Sequence, residues 1–302
     1  MIELWIPITI AGAFFQNLRS ALQRHLKSRL SDAGASYVRF FYAWPFSLLY
    51  CWGLVEFGGA DLPEANAAFL IYCLLGGISQ ILFTFLLVWM FSFRNFAVGT
   101  TFSKTEVVQV AIFGFILLGD TVTATAGLAI ALSLVGVMAL SVAQSKITVS
   151  NLFTSLTEKA TLIGLTSGVF LGASVVFYRG AALSLESGDA TIRAAFALTV
   201  AVIMQTVIMG AYLRLREPGQ LTAVIREWRW AGQVGIAGML ASVCWFTAFT
   251  MQNAAYVRAL GQIELVFTFA VSIVLFKEKT TSAENIGIAL IIAAILILVL
   301  AG

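Results

Sequence analysis

Charge is scarce in this sequence. Asp, Glu, Lys and Arg make up 11% of its 302 residues, against roughly 25% in soluble domains, and that shortage excludes a water-exposed globular fold of this size. Histidine is scarcer still, with one copy, His25, in a basic segment. No paired-acid, Ser-Lys or metal-ligand motif stands out, so the side chains an intramembrane enzyme would gather at one depth are missing. Cys51, Cys73 and Cys244 are odd in number, lack ligand spacing and sit in apolar runs, where a thiol behaves as a small core residue. No metal or cofactor is expected. The first hydrophobic run, LWIPITIAGAFF, has no basic residue before it and passes into RSALQRHLKSR rather than a small-residue cleavage site, so it is expected to be a retained span and not a leader.

What is abundant is apolar: 60% of the residues are hydrophobic, arranged in blocks of about 20, the length of helix that crosses a hydrocarbon core. The breaks predict ten transmembrane helices, near 4–23, 36–57, 67–93, 95–118, 122–143, 161–184, 190–213, 230–252, 254–276 and 285–301. The polar stretch around 144–159 divides them five and five, giving repeats 1–146 and 147–302. Features recur in order on either side: Arg39-Phe40 and Arg193 entering the second and seventh spans, glycine-rich third and eighth spans, then Glu106 and Glu264, 158 residues apart. The breaks Leu118-Gly119-Asp120 and Phe276-Lys277-Glu278 keep the same offset. An odd number of helices per repeat starts the second copy on the opposite side of the membrane, so the expected fold is an all-α integral membrane protein of two inverted-topology five-helix repeats. Lys and Arg crowd the odd-numbered loops, among them Arg24, Lys27, Arg94, Lys146, Arg214, Arg229 and Lys279, whereas the even loops show only Arg179 and Arg193 at their edges. Odd loops are therefore expected in the cytoplasm and both termini outside it.

The candidate site residues are the polar groups inside these spans. Glu106 and Glu264 lie near mid-span, where an ionised carboxylate is costly unless paired, wetted or protonated. Such a group changes protonation as hydration and neighbouring charge change, which would let it couple proton and solute movement; the structural alternative for Glu106 is an ion pair with Lys104, Arg39 or Arg258 that fixes packing. Lys104 and Glu106 project about 200° apart on an ideal helix, so a partner should come from another helix. For Glu264, which follows Gln262, the alternative is a pair with Arg258 or another basic residue. Arg39 suits a carboxylate or phosphate clamp, and snorkelling is the simpler reading of Arg193. Gln16, Asn17 and Arg19 make the first span unusually polar, its stripe continued by Gln23, facing a cavity or acting as interhelical glue. Trp245 is an aromatic pocket candidate.

With these motifs placed, the chain resembles the drug/metabolite transporter superfamily in its ten-helix EamA-like branch. The resemblance rests on the five-plus-five plan, Arg39-Phe40, and the glutamate followed by an apolar run ending at Leu118-Gly119-Asp120. It implies an inverted-repeat carrier whose cavity is lined by helices 1 to 4 and 6 to 9, moving small organic solutes such as amino acids, amines, nucleotide sugars or lipophilic drugs, often in exchange for protons. The charge bias toward external termini departs from many relatives.

The expected function is secondary export of a small organic metabolite, such as an amino acid or related amphipathic solute, by alternating access with proton coupling. The alternative is a lipid or polyprenyl-carrier flippase, in which Arg39, Lys104 and Arg258 would hold a phosphate; an intramembrane enzyme or a channel fits less well. The expected partners are a small-molecule substrate, protons and membrane lipids, with no nucleic acid, and the expected location is the bacterial inner membrane.

Overall fold

Apolar runs of this length fold as helices because the bilayer leaves backbone N–H and C=O groups no partner but the backbone itself. In the computed structural model, which describes residues 3–26, 29–90, 93, 96–145, 157–274, 277 and 280–301, no strand occurs among the described residues. Lys27, Arg94, Lys146, Lys279, Phe276, Glu278 and the 146/147 boundary lie outside the described residues, as do the side chains of Arg24 and His25. The helices are α1 (Trp5–Leu26), α2 (Asp32–Phe41), α3 (Trp44–Glu56), α4 (Ala67–Met90), α5 (Phe96–Ser103), α6 (Glu106–Leu118), α7 (Ala124–Ser145), α8 (Lys159–Leu183), α9 (Ala190–Arg216), α10 (Gln220–Arg226), α11 (Trp228–Met251), α12 (Ala254–Gly261), α13 (Ile263–Val274) and α14 (Ser282–Ala301).

Eight segments are long and apolar enough to cross a membrane among the described residues: 67–87, 98–118, 124–144, 159–183, 190–216, 228–251, 254–274 and 282–300. The first two expected spans do not join them. The 22 residues of α1 are long enough, about 33 Å, but Gln16, Asn17, Arg19 and Gln23 lower its apolar character. The expected span 36–57 is split between α2 and α3 at Tyr42-Ala43, because Pro45 in the first turn of α3 cannot donate to the carbonyl of Phe41 and its ring clashes there.

Two further expected spans, 95–118 and 254–276, are interrupted immediately before their glutamates, between α5 and α6 at Lys104-Thr105 and between α12 and α13 at Gln262. At both breaks backbone bonds reach only the third residue back: Lys104 N–H to the Thr101 carbonyl (3.2 Å) and Gln262 N–H to that of Ala259 (3.3 Å). Side-chain back-bonding of Ser103 to Thr100 and Thr105 to Phe102 competes for carbonyls around the first break and bends the helix there.

Three helix starts in the first half, Asp32, Phe96 and Ala124, have counterparts 158 residues later at Ala190, Ala254 and Ser282. The caps follow: Ser31 accepts from Gly34 N–H at the start of α2, and Asp189 from Thr191 and Ile192 N–H at the start of α9. Gly119 closes α6 in the left-handed region at φ 69°, and Lys277 occupies it at φ 53°.

The chain divides into two compact units, each drawing on both sequence halves. Unit 1 comprises 1–81 and 177–252, and unit 2 comprises 82–176 and 253–302. In unit 1, α1 lies against α11, and α9 against α2, α3 and α11; its core includes Leu26, Val38, Leu198 and Leu213, with the Phe69 and Phe196 rings stacked at 5.0 Å. In unit 2, α7 lies along α14 and α12 against α6. Gly136 and Gly287 let the first pair approach backbone to backbone, and a Cβ on Gly164 of α8 would run into the backbone of Gly99 on α5, the small-residue contact by which membrane helices pack.

Candidate functional site

In unit 2 the twin breaks carry crossed ion pairs. Glu106, 1% exposed, stands in the first turn of α6 and accepts two hydrogen bonds from Arg258 of α12, one from Nε to Oε2 at 3.2 Å and one from the guanidinium's outer nitrogen to Oε1. Glu264, which opens α13, lies 3.9 Å from the ammonium of Lys104 at the other break. Each glutamate is thus met by a cation from the opposite half of the sequence, as the helical projection of Lys104 away from Glu106 requires. Of the three alternative partners expected for Glu106, Arg258 is the one that meets it; Lys104 stands by Glu264, and Arg39 belongs to unit 1. Two acids and two bases leave the quartet with no formal net charge, and the two-pronged geometry gives Glu106 the stronger of its two pairs. Buried Gln262 donates to the Arg258 carbonyl at 3.4 Å, while its own side-chain oxygen meets no donor among the described residues. The α6–α7 connection, at the other end of α6, is tied to the start of α12, Asn253 donating to the Thr121 carbonyl and Thr123 N–H to the Tyr256 hydroxyl, both at 3.1 Å.

Unit 1 holds a different arrangement. Arg19 of α1 and Arg39 of α2 line one small cavity of about 20 Å³ together with Gln80 of α4, Gln205 of α9, and Ser242 and Phe246 of α11. The amides are fixed: the Gln80 oxygen accepts from Gln205 Nε2 at 2.8 Å and from the Tyr178 hydroxyl at 3.4 Å. Gly238 makes room for the Arg19 stem, since a Cβ there would stand 3.3 Å from Arg19 Cδ. The Arg39 guanidinium lies 4.9 Å from the Phe40 ring centre, a cation–π contact. Arg179, also in this unit, donates to the carbonyls of Phe249 (2.6 Å) and Gln252 (2.7 Å), capping the C-terminal end of α11.

Residues 158–300 match the model of the EamA-like transporter family, part of the drug/metabolite transporter superfamily. That match places the resemblance in the second half of the chain. A solved crystal structure matches with a TM-score of 0.71 over 98% of this chain and 96% of its own, at 13% sequence identity; at that identity the likeness shows a shared fold alone. No curated protein matches the chain at a significant level. The eight candidate spans mark an integral membrane protein.

The matched segment 158–300 contains Gln205, Ser242, Trp245, Arg258, Gln262 and Glu264. Of the residues singled out in the sequence, Glu106, Lys104, Arg258, Gln262 and Glu264 come together in unit 2, and Arg19 and Arg39 in unit 1. Gln16 and Asn17 are half-buried on α1 and do not line the cavity. Gln23 serves helix packing by donating to the Ala35 carbonyl at 2.8 Å. Trp245 is buried, stacks on Phe249 at 5.6 Å and lies over Gly12 of α1. Gln80, Gln205 and Tyr178 were not among the expected site residues, although a glutamine within ALTVAVIMQTVIMG is a visible signal.

Proposed function

We propose that this protein is a secondary carrier of the bacterial inner membrane that exports a small organic metabolite, amino-acid-like in size and polarity, by alternating access of two inverted five-helix repeats. The observation that carries this reading is the pair of spans interrupted at equivalent positions, each break bearing charged residues. Discontinuous helices are how carriers expose backbone and charge at a central site without facing lipid. The 158-residue spacing of helix starts, caps and left-handed turns supports the repeat, and the family match over residues 158–300 supports transport.

Proton coupling is assigned in this reading to the quartet. A proton on Glu106 removes the charge that holds Arg258, so protonation loosens the α6–α12 contact; Glu264 and Lys104 form the second-half counterpart. Counterflow in proteoliposomes with a panel of amino acids and amines, with and without an imposed pH gradient, tests both parts. Exchange of a solute that is accelerated by the gradient in wild-type protein, and loses that acceleration in folded Glu106→Gln, is the expected result. Gradient-driven transport unchanged in both Glu106→Gln and Glu264→Gln would make the quartet a structural brace. Lipid translocation without solute exchange would instead favour a flippase. Single-cysteine labelling of the 214–229 loop and of both termini tests the orientation, with the loop expected to react only after permeabilisation.

A further inference from the structure

The two units balance their interior charge differently. In unit 2 the mid-span cations Lys104 and Arg258 are matched by Glu264 and Glu106. In unit 1 every acidic residue lies in a connection or at a helix end: Glu3, Asp32, Glu56, Asp61, Glu64, Glu186, Asp189, Glu217 and Glu227. Asp32, the acid nearest in sequence to Arg39, is exposed and two helical turns away, about 10 Å along α2. The cavity of unit 1 is therefore lined by two guanidinium groups and by no carboxylate. Arg39 makes no hydrogen bond or ion pair with any described residue, its ring contact with Phe40 aside, and the charge of Arg19 lies near enough to repel it.

A guanidinium without an acidic partner inside a membrane protein is costly, and an anion brought in from outside relieves Arg39. The remaining lining suits one. Gln205 and Tyr178 both donate to the Gln80 oxygen, which fixes that wall, and Ser242 adds a hydroxyl to the lining. Size selects among anions. A cavity of about 20 Å³ has room for a group little larger than one water, so a flat carboxylate set edge-on to a guanidinium fork fits better than a tetrahedral phosphate.

We propose that this cavity is an anion subsite that takes the carboxylate of the transported solute, with Arg39 as its principal ligand and Arg19 as the second charge. The assignment rests on the carrier reading above. It narrows the substrate to acids and zwitterions, and excludes simple amines.

The test is binding, measured apart from transport. Purified protein in detergent is melted in sodium propionate, propionamide, sodium phosphate or sodium chloride at one ionic strength, followed by tryptophan fluorescence. A ligand that binds only the folded state raises the melting temperature. Propionate is expected to give a saturable rise that propionamide, phosphate and chloride do not. In Arg39→Gln the half-saturating concentration should increase at least about tenfold, the loss expected for one charge-assisted partner, and Arg39→Lys, which keeps the charge but not the fork, should fall between.

Equal effects of propionate and propionamide on wild-type protein would overturn the proposal without reliance on any variant. So would stabilisation by phosphate but not propionate, no stabilisation at all, or an unaltered propionate response in Arg39→Gln. Counterflow separates the two readings: transport of a solute that lacks a carboxylate overturns the subsite and leaves the carrier standing, whereas carboxylate binding with no exchange of any solute overturns the carrier.

Discussion

Replacing one arginine by glutamine should have opposite consequences in the two units. Arg258→Gln in unit 2 leaves Glu106, 1% exposed, without the guanidinium that makes both of its hydrogen bonds. Removing one partner of a buried pair costs about 3–5 kcal/mol. Glu106→Gln strands Arg258 in the same way, although nearby Glu264 supplies part of its compensation, so its loss should be smaller. The double variant removes both charges and should recover most of the stability. Unfolding by SDS titration in mixed micelles, read through tryptophan fluorescence, would give the double-mutant cycle, with an expected coupling of about 3 kcal/mol. Additive single variants, each costing under about 1 kcal/mol, would refute the claim that the pair is buried and mutually dependent.

Arg39→Gln, by contrast, removes a charge that repels Arg19 and has no acidic partner among the described residues, so without ligand its melting temperature should equal or exceed the wild-type value in the same assay. Lys277→Gly should gain about 1 kcal/mol by relieving a left-handed backbone that glycine adopts freely, while Gly119→Ala at the equivalent turn should lose a similar amount; thermal melts of the two variants would test the pair. Gly164→Val should cost about 3 kcal/mol or more, because its side chain would enter the backbone of Gly99, and a monodisperse size-exclusion profile with wild-type melting would contradict that contact. Asn66→Ala removes both a cap on Phe69 N–H and a 2.6 Å bond to the Ser184 carbonyl, so a loss of about 1–2 kcal/mol is expected.

Composition and spacing alone determined that the chain is helical and membrane-bound, because the cost of burying backbone and charge in hydrocarbon acts on the local sequence and needs no tertiary context. The same logic located Glu106, Lys104, Arg258, Glu264 and Arg39, since an ionisable residue in an apolar run is conspicuous wherever it finally points. The division of those groups was not legible in one dimension. Which cation meets which glutamate depends on α12 packing against α6, a contact between residues about 150 positions apart, and the kinks before both glutamates arise from hydrogen-bond competition around a few polar side chains that leaves the surrounding hydropathy unchanged. Gln80, Gln205 and Ser242 became one cavity with Arg19 and Arg39 only because five helices of unit 1 bring them together. The sequence supplied the charges; tertiary packing decided that one set is paired internally and that Arg19 and Arg39 of the other line one small cavity.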